Sequence, residues 1–199
     1  MIIGETYLSR ITLCFPKSMQ MSDDEFFDFA QENPDLKMER DRFHHVILMA
    51  LTGGKTGNRN AEITAELTLW NRVAQLGVVF DSSTGFRLPN GAVRSPDAAF
   101  VTTQRWNALT DEQQTKFPPL CPDFVVELMS TSDDLADADA KMQEYLENGA
   151  RLGWLLSPKT AEACIYKQNE QTRVVRGFTQ SLSGDDVLPN FTLDLNILR

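Results

Sequence analysis

Residues 123–141 read DFVVELMSTSDDLADADAK, and within them Glu127 interrupts an apolar run. Phe124, Val125, Val126, Leu128 and Met129 have the β-branched and aromatic character of a buried strand. A lone glutamate in such a strand must meet a partner or a cation to be tolerated. The polar turn 130–134 ends this strand, and the spacing of Leu135, Met142, Tyr145 and Leu146 predicts a helix over 137–148, with Gly149 as its stop. Strand, turn and helix thus bring Glu127 and Lys141 into one neighbourhood.

Upstream, VVFDSSTGFRLPNGAVRSPDAAFV predicts a meander of strands at 78–81, 85–88 and 96–101, turning at Pro89, Asn90 and Gly91. Asp97 follows Ser95 and Pro96 at the start of the third. Residues 60–76 predict a helix with Ile63, Leu67, Trp70, Val73 and Ala74 on one stripe, closed by Gly77. The preceding GGKTGN, residues 53–58, is not a P-loop, because the glycine required five residues before Gly54 is Met49. It reads as a flexible loop whose following helix N-terminus could take a phosphate oxygen beside Lys55 and Arg59.

Further back, Ser22 and Glu25 form a capping-box pattern for a helix that Pro34 stops, and 36–40 pairs with 45–51 as a hairpin carrying Glu39. Residues 1–21 read as an irregular lead-in to one domain over 22–199. Beyond the Lys141 helix, 152–156, 163–167 and 173–176 read as strands, and Leu188, Phe191 and Leu193 as a clasp on the sheet. RWNALTDEQQTKFPPLCP, 105–122, is a helical surface insertion.

The composition, 42% hydrophobic and 24% charged, is that of a globular chain able to bury a core. A net charge of -9 argues against a strongly basic nucleic-acid binder, yet residues 37–105 sum to +3 while 106–149 sum to -8. Arg40, Arg42, Lys55, Arg59, Arg72, Arg87 and Arg94 could form a locally basic face, giving weak and salt-sensitive contact with a polyanion. Three cysteines without a CxxC pair exclude a disulfide framework. No apolar run is long enough for a membrane span and MIIGETYLSRITLCFP lacks signal-peptide features, so the expected location is cytoplasmic, without a membrane partner.

Metal-assisted phosphodiester cleavage needs two or three carboxylates sharing a divalent ion and a cation beside the attacking water. Asp97 on one strand, Glu127 on a second and Lys141 on the next helix supply those parts. Each also has a structural alternative: Asp97 as a turn cap, Glu127 as a buried ion pair with Arg94 or Arg151, Lys141 as a solvated helix residue.

The order of these residues resembles the PD-(D/E)xK nucleases. The segments RSPDAAFV, PPLCPDFVVELMSTSD, KMQEYLENGARLGWLLSP and SGDDVLPNFTLDL resemble the Uma-two-type restriction endonuclease family, over about residues 20 to 197. The resemblance implies an α/β (α+β) fold with a restriction-endonuclease-like core: a mixed central sheet flanked by helices, with an N-terminal helix and β-hairpin. It implies Mg²⁺ or Mn²⁺ held by Asp97 and Glu127, with Glu39 as a further acidic ligand, and Lys141 as the catalytic lysine. Met129 stands where the parent motif has its lysine, and ERDRFHH replaces the usual acidic residue and glycine after the Glu39 strand. DNA is the implied partner, touched by Lys55, Arg59 and Arg94, and a homodimer is allowed. Two functions follow: a Mg²⁺-dependent DNA endonuclease, or a non-catalytic binding or assembly module of the same fold that keeps a residual acidic site.

Overall fold

The computed structural model describes residues 10–199. Its first half runs β1 (Arg10–Leu13), α1 (Asp23–Glu32), β2 (Lys37–Arg40), β3 (Val46–Met49), α2 (Gly54–Ala74), β4 (Gly77–Asp81), β5 (Phe86–Arg87), β6 (Val93–Arg94) and β7 (Ala98–Thr102). Then follow α3 (Thr103–Asn107), α4 (Asp111–Thr115), β8 (Phe124–Leu128), α5 (Leu135–Glu147), β9 (Leu152–Ser157), β10 (Glu162–Lys167), β11 (Arg173–Arg176), β12 (Ser181–Ser183) and β13 (Thr192–Asp194).

The central sheet has six strands in the order β11-β10-β9-β8-β7-β4. Only β8 and β9 run parallel, and the α5 crossover between them is the connection that a parallel pair requires. Side-chain alternation divides this sheet into two faces. Ala98, Phe100, Phe124 and Val126 pack with Ile63 and Leu67 of α2 and with Leu188, Phe191 and Leu193 of the tail. Ala99, Val101 and Val125 point the other way, against Met142 and Tyr145 of α5. The mixed sheet flanked by α2 and α5 is thus the expected architecture.

A second sheet, β1-β3-β2-β6-β5, carries the hairpin of β2 and β3. The chain leaves the central sheet after β4, turns through β5 and β6 in this second sheet, and returns as β7 beside β4. The expected meander is therefore wrong: the turn at Pro89, Asn90 and Gly91 joins β5 to β6. Period-2 alternation marks a strand but not its sheet, and β6 is only two residues before Ser95 and Pro96 interrupt it.

Other boundaries also differ. Within the expected lead-in, Arg10–Leu13 is a strand paired with β3; residues 1–9 of the lead-in lie outside the described residues. The GGKTGN segment is helical from Gly54, with Gly53 as N-cap. Two helical glycines cost of order 1 kcal/mol each relative to alanine, which packing of the long remainder of α2 offsets. That helix ends at Gln75 in the left-handed conformation, before Gly77. Gly77 instead starts β4, where a Cβ would come within 2.1 Å of the Val101 carbonyl oxygen. Asp134 caps α5 through the N–H groups of Ala136 and Asp137, two residues earlier than expected, and leaves Leu135 exposed.

The capping box of Ser22 and Glu25 is present, and α1 is tied to the second sheet by Arg40, which is fully buried. Its guanidinium donates to the carbonyls of Met21 and Ser22 at 3.2 Å, to Gly91 at 3.0 Å and to the Asp23 carboxylate, and lies 5.2 Å from the Phe26 ring centre. Arg40→Met removes every one of those donors, and urea unfolding should show a loss of about 3 kcal/mol. Asp23→Asn should cost under about 1 kcal/mol, because that carboxylate is partly exposed. Equal losses from the two would show that the carbonyl bonds contribute nothing.

Candidate active site

In the β7–β8 register Ala98 faces Val126, and one step further the Asp97 N–H donates to the Val126 carbonyl at 2.9 Å, which sets Asp97 across from Glu127. Glu127 faces α5, where Lys141 and Tyr145 meet it, while Asp97, just before β7, is bonded to Asn60 of α2. Asp97 is held at each oxygen: Oδ2 accepts from the Leu128 N–H at 2.8 Å and Oδ1 from Asn60 Nδ2 at 2.9 Å. Burial raises its carboxyl above the ordinary value, partly offset by the Leu128 bond.

Lys141 reaches this place from α5. Its ammonium lies 2.8 Å from Glu127 Oε1 and 2.8 Å from Glu39 Oε1, so it points into the cluster. One turn along, the buried Tyr145 donates its hydroxyl to Glu127 Oε1 at 2.9 Å. Burial alone would discharge the lysine, but the charges of Glu127 and Glu39 outweigh it and its pKa rises. Glu127 and Glu39 thus favour the charged form of Lys141.

The three acids are held unequally. Glu127 is pushed up to about 7 by burial and by the charges of Asp97 and Glu39, against the opposing pull of Lys141. Glu39 accepts from the Ser95 N–H at 2.9 Å and from Lys141 on Oε1, and from Arg94 at 3.1 Å on Oε2. Burial opposes its ionisation, but Lys141 and Arg94 bring it down to about 2. Both oxygens of Glu39 are committed to donors, which suits a residue that holds the lysine more than one that ligates an ion.

Arg94, expected on nucleic acid, is turned inward between Glu39 and Glu144, 2.6 Å from the latter, with its side chain 13% exposed. Lys55 and Arg59 lie on the first two turns of α2, and among the described residues neither pairs with these carboxylates. Four sequence-marked residues, Glu39, Asp97, Glu127 and Lys141, converge. Tyr145 was legible only as an apolar helix position and Asn60 only as a helix start, because neither residue type in isolation signals a site; Arg94 and Glu144 are joined across 50 positions by the fold alone.

Among the described residues no group of three His, Cys, Asp or Glu side chains is disposed to hold a metal ion. The Lys141 ammonium already stands between Glu39 and Glu127. Asp97 and Glu127 nevertheless suit a hard divalent ion, which takes oxygen ligands and often only one or two carboxylates with water and phosphate. The raised Glu127 carboxyl marks a place where a further positive charge would be stabilising.

Residues 23–196 match the model of the family Uma2, described as "Putative restriction endonuclease". A crystal structure described as "a putative nuclease belonging to DUF820 from Anabaena variabilis ATCC 29413" is similar with a TM-score of 0.74 at 16% identity, over 89% of this chain and 97% of that one. At that identity the likeness speaks for the fold. No curated protein matches. Since the family model spans most of the chain, the chain belongs to the Uma2 family.

Proposed function

We propose that this chain is a divalent-metal-dependent endonuclease that hydrolyses DNA phosphodiesters. The observation that carries the reading is the Asp97 carboxylate held against the end of β8 by the Leu128 N–H, next to Glu127, with the Lys141 ammonium 2.8 Å from Glu127. Asp97 and Glu127 would hold Mg²⁺ or Mn²⁺, which when bound supplies Lewis-acid polarisation and a water of lowered pKa. Leu128 and Asn60 keep Asp97 oriented. Lys141 would donate hydrogen bonds and stabilise charge developing on the phosphoryl oxygens. Glu39 and Tyr145 fix the lysine and Glu127 respectively.

The binding or assembly module is the second reading, favoured by one observation: Lys141 already compensates Glu39 and Glu127 without an ion. Incubation of plasmid and oligonucleotide DNA with Mn²⁺, Mg²⁺ or EDTA separates the two. Metal-dependent products that vanish in Asp97→Asn support the nuclease, and a protein inert on every substrate supports the module. Asp97→Asn should also abolish the metal-induced rise in Tm, worth ~2.7 kcal/mol at a hundredfold excess of ion over Kd. Its ion-free stability should stay within about 1 kcal/mol of wild type, since a flip of the Asn60 amide restores a donor–acceptor pair. A much larger loss would make Asp97 structural.

A further inference from the structure

Helix α2 meets the central sheet through Ile63 and Leu67, both buried. Its opposite side carries large apolar residues that the fold of one chain does not use. Leu69 is 54% exposed and Val73 88%, and Leu76, just past the helix end, is 42% exposed. Apolar side chains grouped on one solvent face mark a surface that something covers.

The spacing and the charges of this face identify the cover. Glu62, Ala65, Leu69 and Arg72 are all exposed and stand three, four and three positions apart, the seam spacing of a helix packed on another helix. Against an antiparallel copy of the same helix, with the two-fold axis level with Leu67, Leu69 meets Ala65 of the second copy and Glu62 meets Arg72. Each contact then occurs twice, as a two-fold axis requires. Every layer joins a large side chain to a small one or an acid to a base. A parallel pair in register would instead set Glu62 on Glu62 and Arg72 on Arg72. Within one chain these two residues lie about 15 Å apart along the helix axis, out of each other's reach. Asp81 shares the adjoining groove with Arg72, but its Oδ1 takes the N–H and hydroxyl of Ser83.

We propose that α2 is the docking surface for a second copy of this chain, α2 against α2, antiparallel and in this register. Val73 flanks the seam and Leu76 extends its apolar surface past the helix end. Asn60 on the same helix holds Asp97, so the pairing sets two carboxylate clusters on one assembly, whatever chemistry they perform.

Sedimentation equilibrium tests this. Because the seam spans only about three turns of helix, the mass should rise from monomer to dimer between about 1 and 300 µM. Glu62→Arg or Arg72→Glu alone sets like charges together in two layers and should weaken the dimer at least about 10-fold. Both positions are exposed, so folding, checked by circular dichroism, should not change. The double variant should recover the dimer. A mixture of the two single variants should recover it too, as a heterodimer with an acid facing a base in both layers. Glu66 lies at the edge of the seam beside its own counterpart, so Glu66→Gln should tighten the pair. A wild-type chain still monomeric at about 300 µM overturns the proposal and leaves the face to a different protein. Single variants that dimerise as wild type does, or a double variant and a mixture that both stay monomeric, overturn it as well.

Discussion

Lys141→Met should lower metal-dependent cleavage by roughly 10²- to 10³-fold, the usual cost of deleting one donor aimed at developing charge. The side chain is nearly isosteric, so what is lost is the ammonium between Glu39 and Glu127. Metal binding should survive, because Asp97 and Glu127 remain. Stability should fall too, in a pH-dependent way. Glu39 keeps Arg94 and the Ser95 N–H, but Glu127 retains only the Tyr145 hydroxyl. At pH 8 Glu127 is then an under-compensated buried charge and the loss should approach about 3 kcal/mol; at pH 5 the carboxyl takes up a proton and much of the loss disappears. Adding Met129→Lys tests the geometry. Met129 lies two residues beyond Glu127 on the same face and packs toward α5, so a lysine there can bring its ammonium to Glu127 from the strand. About a tenfold recovery is expected, short of wild type because the new side chain lacks the Glu39 anchor. Cleavage by Lys141→Met at the wild-type rate would refute the assigned role.

Without metal, the protein should lose stability as pH rises through about 7, by on the order of 3 kcal/mol, and added Mn²⁺ should restore it. The groups facing Glu127 are Lys141 and Tyr145 from α5, Asp97 from the start of β7 and Glu39 from β2. Burial and the two neighbouring carboxylates raise its pKa above the unfolded value, so the folded state binds that proton more tightly. The resulting stability is fully present below the unfolded pKa near 4.5 and is lost as pH climbs through the folded value. Glu39 acts in the opposite sense. Its carboxyl is lowered to about 2, so its contribution is present above about 4.5 and lost on further acidification. Ion-free stability should therefore peak near pH 4.5 and fall from there to about pH 7, and ion binding below pH 7 should release a proton, measurable by calorimetry in buffers of different ionisation enthalpy. Glu127→Gln should flatten the upper limb. A wild-type Tm that is level from pH 5.5 to 8.5 would show that Glu127 is ionised throughout.

The sequence by itself marked most of the elements and four of the side chains that meet in the carboxylate cluster. The Ser22 capping box, the hairpin carrying Glu39, the strand around Glu127 and the Lys141 helix with its Gly149 stop are local patterns, written in residues a few positions apart. A single carboxylate in an apolar strand is likewise a local conflict, visible without coordinates because an isolated buried charge is so unfavourable. What only the tertiary structure decided is long-range pairing. It sent β5 and β6 into the second sheet, brought Glu39 to Lys141 across 102 positions, turned Arg94 from an apparent surface cation into a buried tie between Glu39 and Glu144, and set Asn60 on Asp97. Neither periodicity nor charge count encodes which strands become neighbours. That choice depends on packing both faces of a sheet at once, and with it on where each buried charge finds its opposite.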